Sequence, residues 1–155
     1  MSDYRTPDAA LAYTSHAGRM YRIAYALLLS AHDAEDAAAE VFARFLRKMP
    51  VFKNAEHEKA WFLRVTVNVC RDMLRRRAVR SYTPLEEIAE ITPAEQKDAR
   101  VLESVLALPE KFRVCVLLHY FEGFRVEEIA RILHLSPSAV KMRLSRARDM
   151  LKTAL

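Results

Sequence analysis

Residues 126–148 read VEEIARILHLSPSAVKMRLSRAR, two helical patterns interrupted by HLSPS. This stretch constrains the fold more than any other part of the chain. Val126, Ile129, Ala130 and Leu133 recur at helical spacing and define the buried side of a short helix. Val140, Leu144, Ala147 and Leu151 stand at i, i+4, i+7 and i+11 and define the buried side of a second. Between them Ser136 can cap the second helix, and Pro137 fits its first position, where no amide hydrogen bond is lost. The proline therefore marks a start and does not break one long helix. A turn between two such helices favours a residue at positive φ, usually glycine. Here the position is His134, a residue type that tolerates positive φ at some cost. The arrangement predicts a helix-turn-helix.

The face of the second helix opposite its apolar stripe carries Ser138, Met142, Ser145 and Asp149, flanked by Lys141 and Arg146. Small residues let a helix approach base edges, and flanking cations neutralise phosphates, which is how such a helix docks in the major groove. The competing reading, a basic amphipathic helix idle in a bundle, explains the charge but not the turn and cap. Upstream, Val101, Val105 and Leu108 precede Pro109, and Val114, Leu117, Leu118 and Phe121 form a stripe after it. LPEKF reads as a helix start, and Gly123 as the end of that helix.

Three further helices are predicted in the N-terminal half. The first spans about residues 8–29, with Leu11, Ala17, Tyr21, Ala24 and Leu28 inward. The second starts near Asp33, capped by Asp33 or Ser30, and Pro50 stops it. Its apolar stripe is Val41, Phe42, Phe45, Leu46 and Met49. The third begins after NAEHE and runs to about Arg77. At about 100° per residue, Phe62, Val65, Thr66, Val69, Cys70 and Met73 share its core face. Arg64, Asn68, Arg71 and Arg75 form a stripe on another face, with Trp61 beside it. Guanidinium groups, an amide and an aromatic ring suit single-stranded nucleic acid. A solvated basic face with Trp61 as a core anchor accounts for the same residues, and from these residues alone both readings stay open.

Charge divides the chain. Residues 1–80 carry 14 Lys/Arg against 9 Asp/Glu, residues 81–98 carry 1 against 5, and residues 99–155 carry 10 against 6. Two basic bodies thus flank an acidic segment that contains Pro84 and Pro93, which predicts two small domains, 1–80 and 99–155, joined by a flexible linker at 81–98. Glu86, Glu87 and Glu90 of that linker could fold back on the basic helices and damp DNA binding. Only two glycines are present in 155 residues, too few for a sheet rich in tight hairpins, so the expected class is all-α. Cys70 and Cys115 sit in apolar patterns and read as buried, reduced thiols. The N-terminus shows no secretory signal, which predicts a cytoplasmic protein. A phosphate-cradling glycine loop, a metal-ligand cluster and a nucleophile–base pair are all missing from the sequence pattern. The expectation is a non-enzyme without cofactor, metal or small-molecule substrate.

Three segments, in this order and covering most of the chain, carry a family resemblance: DAEDAAAEVFARFL, KAWFLRVTVNVCRDMLRRR, and LPEKFRVCVLLHYFEGFRVEEIARILHLSPSAVKMRLSRARDML. Together they resemble an extracytoplasmic-function (group IV) RNA polymerase sigma factor. The resemblance implies binding to core RNA polymerase, its β′ and β subunits, and to promoter DNA. By position it implies polymerase contact for Asp33, Asp36, Glu40, Val41, Phe42 and Phe45. It implies minus-ten recognition for Trp61, Arg64, Asn68, Arg71 and Arg75, with a flipped base held by the preceding loop, about residues 51–59. Lys141, Met142, Ser145 and Arg146 match minus-thirty-five positions, joined by Ser138 on the same face, and His119 matches an outlying phosphate contact. An anti-sigma partner, in this family often membrane-linked, is also implied. Two departures stand out: Ala37, Ala38 and Ala39 where the family has larger residues or a glutamine, and Met142 where it has a small polar residue. Met142 can touch a thymine methyl but offers no useful hydrogen bond, so an altered base preference is expected. A helix-turn-helix regulator that never binds polymerase is the alternative.

Overall fold

The computed structural model describes residues 8–79 and 96–154, apart from the side chains of 78, 79, 96–99 and 154. The linker expected at 81–98, with Glu86, Glu87 and Glu90, falls almost entirely outside the described residues, as does Arg80. The described residues are helical, with no strand among them. The chain divides into two compact units, residues 1–87 and 88–155.

The first unit contains α1 (Ala9–Leu28), α2 (Ala31–Lys48) and α3 (Ala55–Val79), each packed on the other two. Asp8 caps α1, its carboxylate accepting from the Ala10 amide at 2.8 Å. Ser30 caps α2, its hydroxyl accepting from the Asp33 amide at 3.2 Å, so Asp33 sits inside the first turn. Two glycines cannot serve every helix end. Leu29 and Met49 therefore close α1 and α2 in the left-handed region, at φ 55° and 43°, with their amides donating to the Tyr25 and Phe45 carbonyls. Each such non-glycine residue costs about 1–2 kcal/mol, which the packing below it must offset.

The core of this unit is an aromatic cluster. Phe45, Phe52, Trp61 and Phe62 are buried, with ring centroids 5.0 Å apart for Trp61–Phe62 and 5.2 Å for Phe45–Phe62. Each such side chain contributes about 1.5–3 kcal/mol by burial, and each ring pair adds roughly 0.5–1.5 kcal/mol. The buried face of α1 holds the predicted Ala24 and Leu28 but otherwise differs from the predicted one. Ala12, His16, Met20, Ile23 and Leu27 face inward, while Leu11 is 60% exposed and Ala17 and Tyr21 are half-buried. The true stripe passes through a histidine, which a purely apolar count steps around. On α2, Val41 and Phe45 are buried, but Leu46 and Met49 are exposed. The small Ala34 and Ala37 take the inward positions one and two turns earlier.

The second unit contains α4 (Gln96–Leu106), α5 (Glu110–Val116), α6 (Val126–Leu133) and α7 (Pro137–Ala154). Pro109 stands just before α5, its carbonyl accepting from the Phe112 and Arg113 amides. Beyond Val116 the helix widens to a π-turn over Leu117–Phe121. The wider turn rotates the residues after it, so Leu117 and Leu118 stay buried while the predicted inward Phe121 is 52% exposed. Gly123 then adopts φ 76°, and the Phe124 amide donates to the Leu118 carbonyl. His134 takes φ 57° at the turn between α6 and α7, and Ser136 caps α7, its hydroxyl accepting from the Ala139 amide at 3.1 Å. Val140, Leu144 and Ala147 are buried against the other helices of this unit. Cys70 and Cys115 are both buried free thiols, and burial pushes the Cys70 thiol up to about 12.

Candidate nucleic-acid interface

The helix-turn-helix presents one face of α7 outward. Ser138, Lys141, Met142, Ser145, Arg146 and Asp149 are all exposed, opposite the buried Val140, Leu144 and Ala147. Two serines leave the middle of this face low, and the thioether of Met142 supplies an apolar contact. Arg148 is turned away from that face toward the π-turn, its Nη1 donating to the Tyr120 hydroxyl at 2.9 Å. His119 lies within the π-turn, half-buried, its Nδ1 2.9 Å from the Phe124 carbonyl oxygen. That carbonyl can only accept, so Nδ1 carries the proton and Nε2 is the ring nitrogen left for another partner.

Sequence patterning did not find Arg113. It is buried, and its Nη1 donates to the Leu106 and Leu108 carbonyls at 3.2 and 2.8 Å. Those are orphan acceptors at and beyond the end of α4, so one arginine ties α4 to the helix that supports the helix-turn-helix. The signal was a cation four residues after Pro109 inside an apolar run.

On α3, Arg64 and Arg75 are exposed and Asn68 and Arg71 half-buried, on one stripe of the helix. Arg75 pairs with Asp72 at 2.5 Å. Trp61 is 8% exposed, packed edge-on against Phe45, Phe52 and Phe62. Of the two readings open for Trp61, its burial agrees with the core anchor: its ring faces the core. The loop before α3 is also shorter than expected. Asn54 caps α3, its side-chain oxygen accepting from the His57 amide at 2.8 Å, while the Lys53 amide donates to His57 Nδ1 at 3.0 Å. Residues 55–59 are thereby helix, and only residues 51–54 remain as loop.

Of the residues expected to meet polymerase, Asp36 is exposed, and Phe42 and Glu40 are half-buried. Glu40 accepts from Arg44 at 3.1 Å and from Arg47 at 3.3 Å, and the Arg44 hydrogen bond leads in holding its carboxyl below the usual range. Val41 and Phe45 are completely buried, which corrects their expected role: they hold α2 in place and present nothing to a partner. Asp33 is engaged by Arg77, which reaches back from the end of α3. His32, Asp33 and Asp36 lie close enough for their ligand atoms to share a cation. The positive end of the α2 dipole and the Arg77 guanidinium both oppose one there.

A second buried link joins α1 to α3. His16 Nε2 lies 2.8 Å from Glu58 Oε1, and the imidazole stacks on Phe62 at 4.3 Å. Burial, helped by Arg19, pulls His16 down to about 4, and burial pushes the Glu58 carboxyl up. Both groups are thus biased toward their uncharged forms.

Comparison with known proteins agrees with this geometry. Residues 12–80 match the Sigma-70 region 2 family and residues 98–151 match Sigma-70, region 4. The chain is 36% identical over 151 residues to the ECF RNA polymerase sigma factor SigE of Mycolicibacterium smegmatis, with 90% of this chain and 58% of SigE covered. It is 28% identical over 145 residues to the RNA polymerase sigma factor SigV of Bacillus subtilis, with 92% of this chain and 87% of SigV covered. It thus spans little more than half the length of the first relative. Its fold is similar to the sigma factor RpoE solved in complex with the anti-sigma factor NepR from Bartonella quintana, with TM-score 0.79, 20% identity and 92% of each chain covered. It is also similar to CnrH solved in complex with the cytosolic domain of CnrY, with TM-score 0.65, 24% identity, and 94% of this chain and 85% of that one covered. Two sigma-70 regions in the family order, joined to relatives named as ECF factors, establish that this chain belongs to the extracytoplasmic-function sigma factors of bacterial RNA polymerase.

Proposed function

We infer that this chain binds core RNA polymerase and directs it to a promoter through two separate DNA-reading faces. The α7 face, with Ser138, Lys141, Met142, Ser145 and Arg146, meets the minus-thirty-five duplex, and His119 Nε2 is the ring atom available to a phosphate. The α3 stripe of Arg64, Asn68, Arg71 and Arg75 handles the minus-ten strand, with Trp61 holding that helix from below. Asp36, Glu40 and the exposed edge of Phe42 meet polymerase. The observation that carries this reading is the exposure of the whole α7 face opposite its buried Val140–Leu144–Ala147 stripe. In this role the chain is an initiation factor, and the chemistry belongs to the polymerase. Domain boundaries at 1–80 and 99–155 suit this division of labour.

The structural neighbour RpoE was solved with the anti-sigma factor NepR. We extend that partner class to this chain, which would be held inactive until release. No helix among the described residues is long and apolar enough to cross a membrane. A helix-turn-helix regulator acting without polymerase is disfavoured by the region 2 match over residues 12–80. The test is co-elution of the purified chain with core polymerase, followed by a gel-shift on promoter DNA. A chain that reads DNA but never co-elutes would reverse the choice.

A further inference from the structure

Met142 is the odd residue on the outward face of α7. Ser138, Met142, Ser145 and Asp149 stand at i, i+4, i+7 and i+11, so one turn to either side of Met142 this stripe carries only a serine. Lys141 and Arg146 flank it, and both are exposed. Met142 itself is 49% exposed, on the side of the helix away from the buried Val140, Leu144 and Ala147. Its stripe offers it no apolar neighbour to pack on. A thioether accepts hydrogen bonds weakly and donates none, so Met142 cannot read the donor and acceptor pattern of a base pair. In the major groove the base edges present one apolar group, the C5-methyl of thymine. Cytosine presents the same group only when it is methylated at C5. An unbranched methionine has the rotatable bonds to follow such a methyl into contact. The serine hydroxyls beside it both donate and accept, so they tolerate either neighbouring base edge.

We propose that Met142 makes this chain a reader of a pyrimidine C5-methyl group in the minus-thirty-five duplex. The proposal rests on the α7 reading above and names what the centre of that face recognises. Duplex DNA is the partner because this is the outward face of the second helix of a helix-turn-helix, within the segment that matches Sigma-70, region 4. The methyl belongs to thymine or to 5-methylcytosine, and uracil and unmodified cytosine lack it. Lys141 and Arg146 are cations suited to phosphate or guanine, and they are indifferent to a methyl. Methyl reading therefore falls to one side chain and can be separated from the rest of the face. Thymine is favoured at the base pair facing Met142, and methylation of a cytosine placed there strengthens binding.

Deleting single methyl groups tests this. The duplex that the full chain selects with core polymerase from a random pool is rebuilt with deoxyuridine for thymine, one position at a time on both strands. Each replacement removes one methyl and keeps the base pair. The unmodified chain should lose about fourfold in affinity at one position, the effect of one buried methyl. Met142→Ser, changed at an exposed site, should melt with the unmodified chain and show no loss at that position. Met142→Leu, still apolar, should keep the loss. With cytosine at that position, methylating its C5 should raise the affinity of the unmodified chain by a similar factor and leave Met142→Ser unchanged. An element with no methyl-sensitive position, or equal sensitivity in Met142→Ser, would overturn the proposal while leaving promoter reading intact. A chain that selects no duplex, with or without core polymerase, would overturn the functional reading and the proposal with it.

Discussion

The Arg77 guanidinium donates to the Asp33 carboxylate and, at 2.8 Å, to the Leu28 carbonyl oxygen. One side chain from the end of α3 therefore satisfies an orphan acceptor at the end of α1 and pairs with an acid in the first turn of α2. Arginine is suited to this because its planar fork can serve two acceptors at once. Arg77→Ala should destabilise the N-terminal unit by roughly 1–3 kcal/mol, since the groups are only partly screened. Arg77→Lys should recover less than half. Urea denaturation monitored by Trp61 fluorescence reads both, and an unchanged midpoint for Arg77→Ala would remove the clamp from the account.

Trp61 separates packing from base stacking. Trp61→Ala opens a hole in the Phe45/Phe52/Phe62 cluster and should cost about 3–5 kcal/mol. Trp61→Phe keeps an aromatic filler and should leave promoter opening, measured by permanganate reactivity of the minus-ten thymines, within about twofold. A large loss of opening in a stably folded Trp61→Phe protein would return this ring to the DNA surface.

The His16–Glu58 pair predicts a pH dependence with a definite sign. The folded state holds His16 near 4, below its ordinary 6.5, so folding disfavours its protonation. The contribution is complete above pH 6.5 and is lost as pH falls toward 4. Glu58, pushed upward by burial, acts oppositely as pH rises above its ordinary 4.5. In Glu58→Gln the histidine contribution stands alone, and stability should fall more steeply between pH 6.5 and 4 than in the unmodified chain. In His16→Gln that fall should vanish. Denaturant midpoints across this range decide it, and an identical acid profile in His16→Gln would place the sensitivity elsewhere.

The α7 face predicts graded DNA effects. Arg146→Ala should weaken minus-thirty-five binding by roughly 1–3 kcal/mol, most strongly on the preferred sequence. If Lys141 meets a phosphate, Lys141→Ala should weaken binding evenly across sequences and lower the salt slope by about one. Anisotropy titrations of the reconstituted holoenzyme at several salt concentrations separate these two behaviours.

The helix-turn-helix was readable because turn, cap and core spacing repeat one message locally: His134, Ser136, Pro137, then Val140, Leu144 and Ala147. Each of those signals lies within a few residues of its partner. The N-terminal unit was less legible for the opposite reason. Arg77 finds Asp33 44 residues away, and His16 finds Glu58 42 residues away. No local periodicity encodes such pairs. His16 also disguised the buried face of α1 by placing a polar residue in it. Burial of Val41 and Phe45 follows the apolar stripe read on α2, and burial of Trp61 follows its reading as a core anchor; their positions in family motifs pointed instead to partners. Phe121 turned outward because a π-turn shifts phase in mid-helix, and the apolar pattern around it gave no sign of that.

On the function proposed above, this chain lends promoter specificity to a polymerase that lacks it. The most direct measurement is run-off transcription by core polymerase on a randomised promoter library, with and without the purified chain. Transcripts are expected to arise from a narrow set of sequences only when the chain is present, enriched at two elements spaced as minus-thirty-five and minus-ten. Transcript start sites that are the same with and without the chain would contradict it.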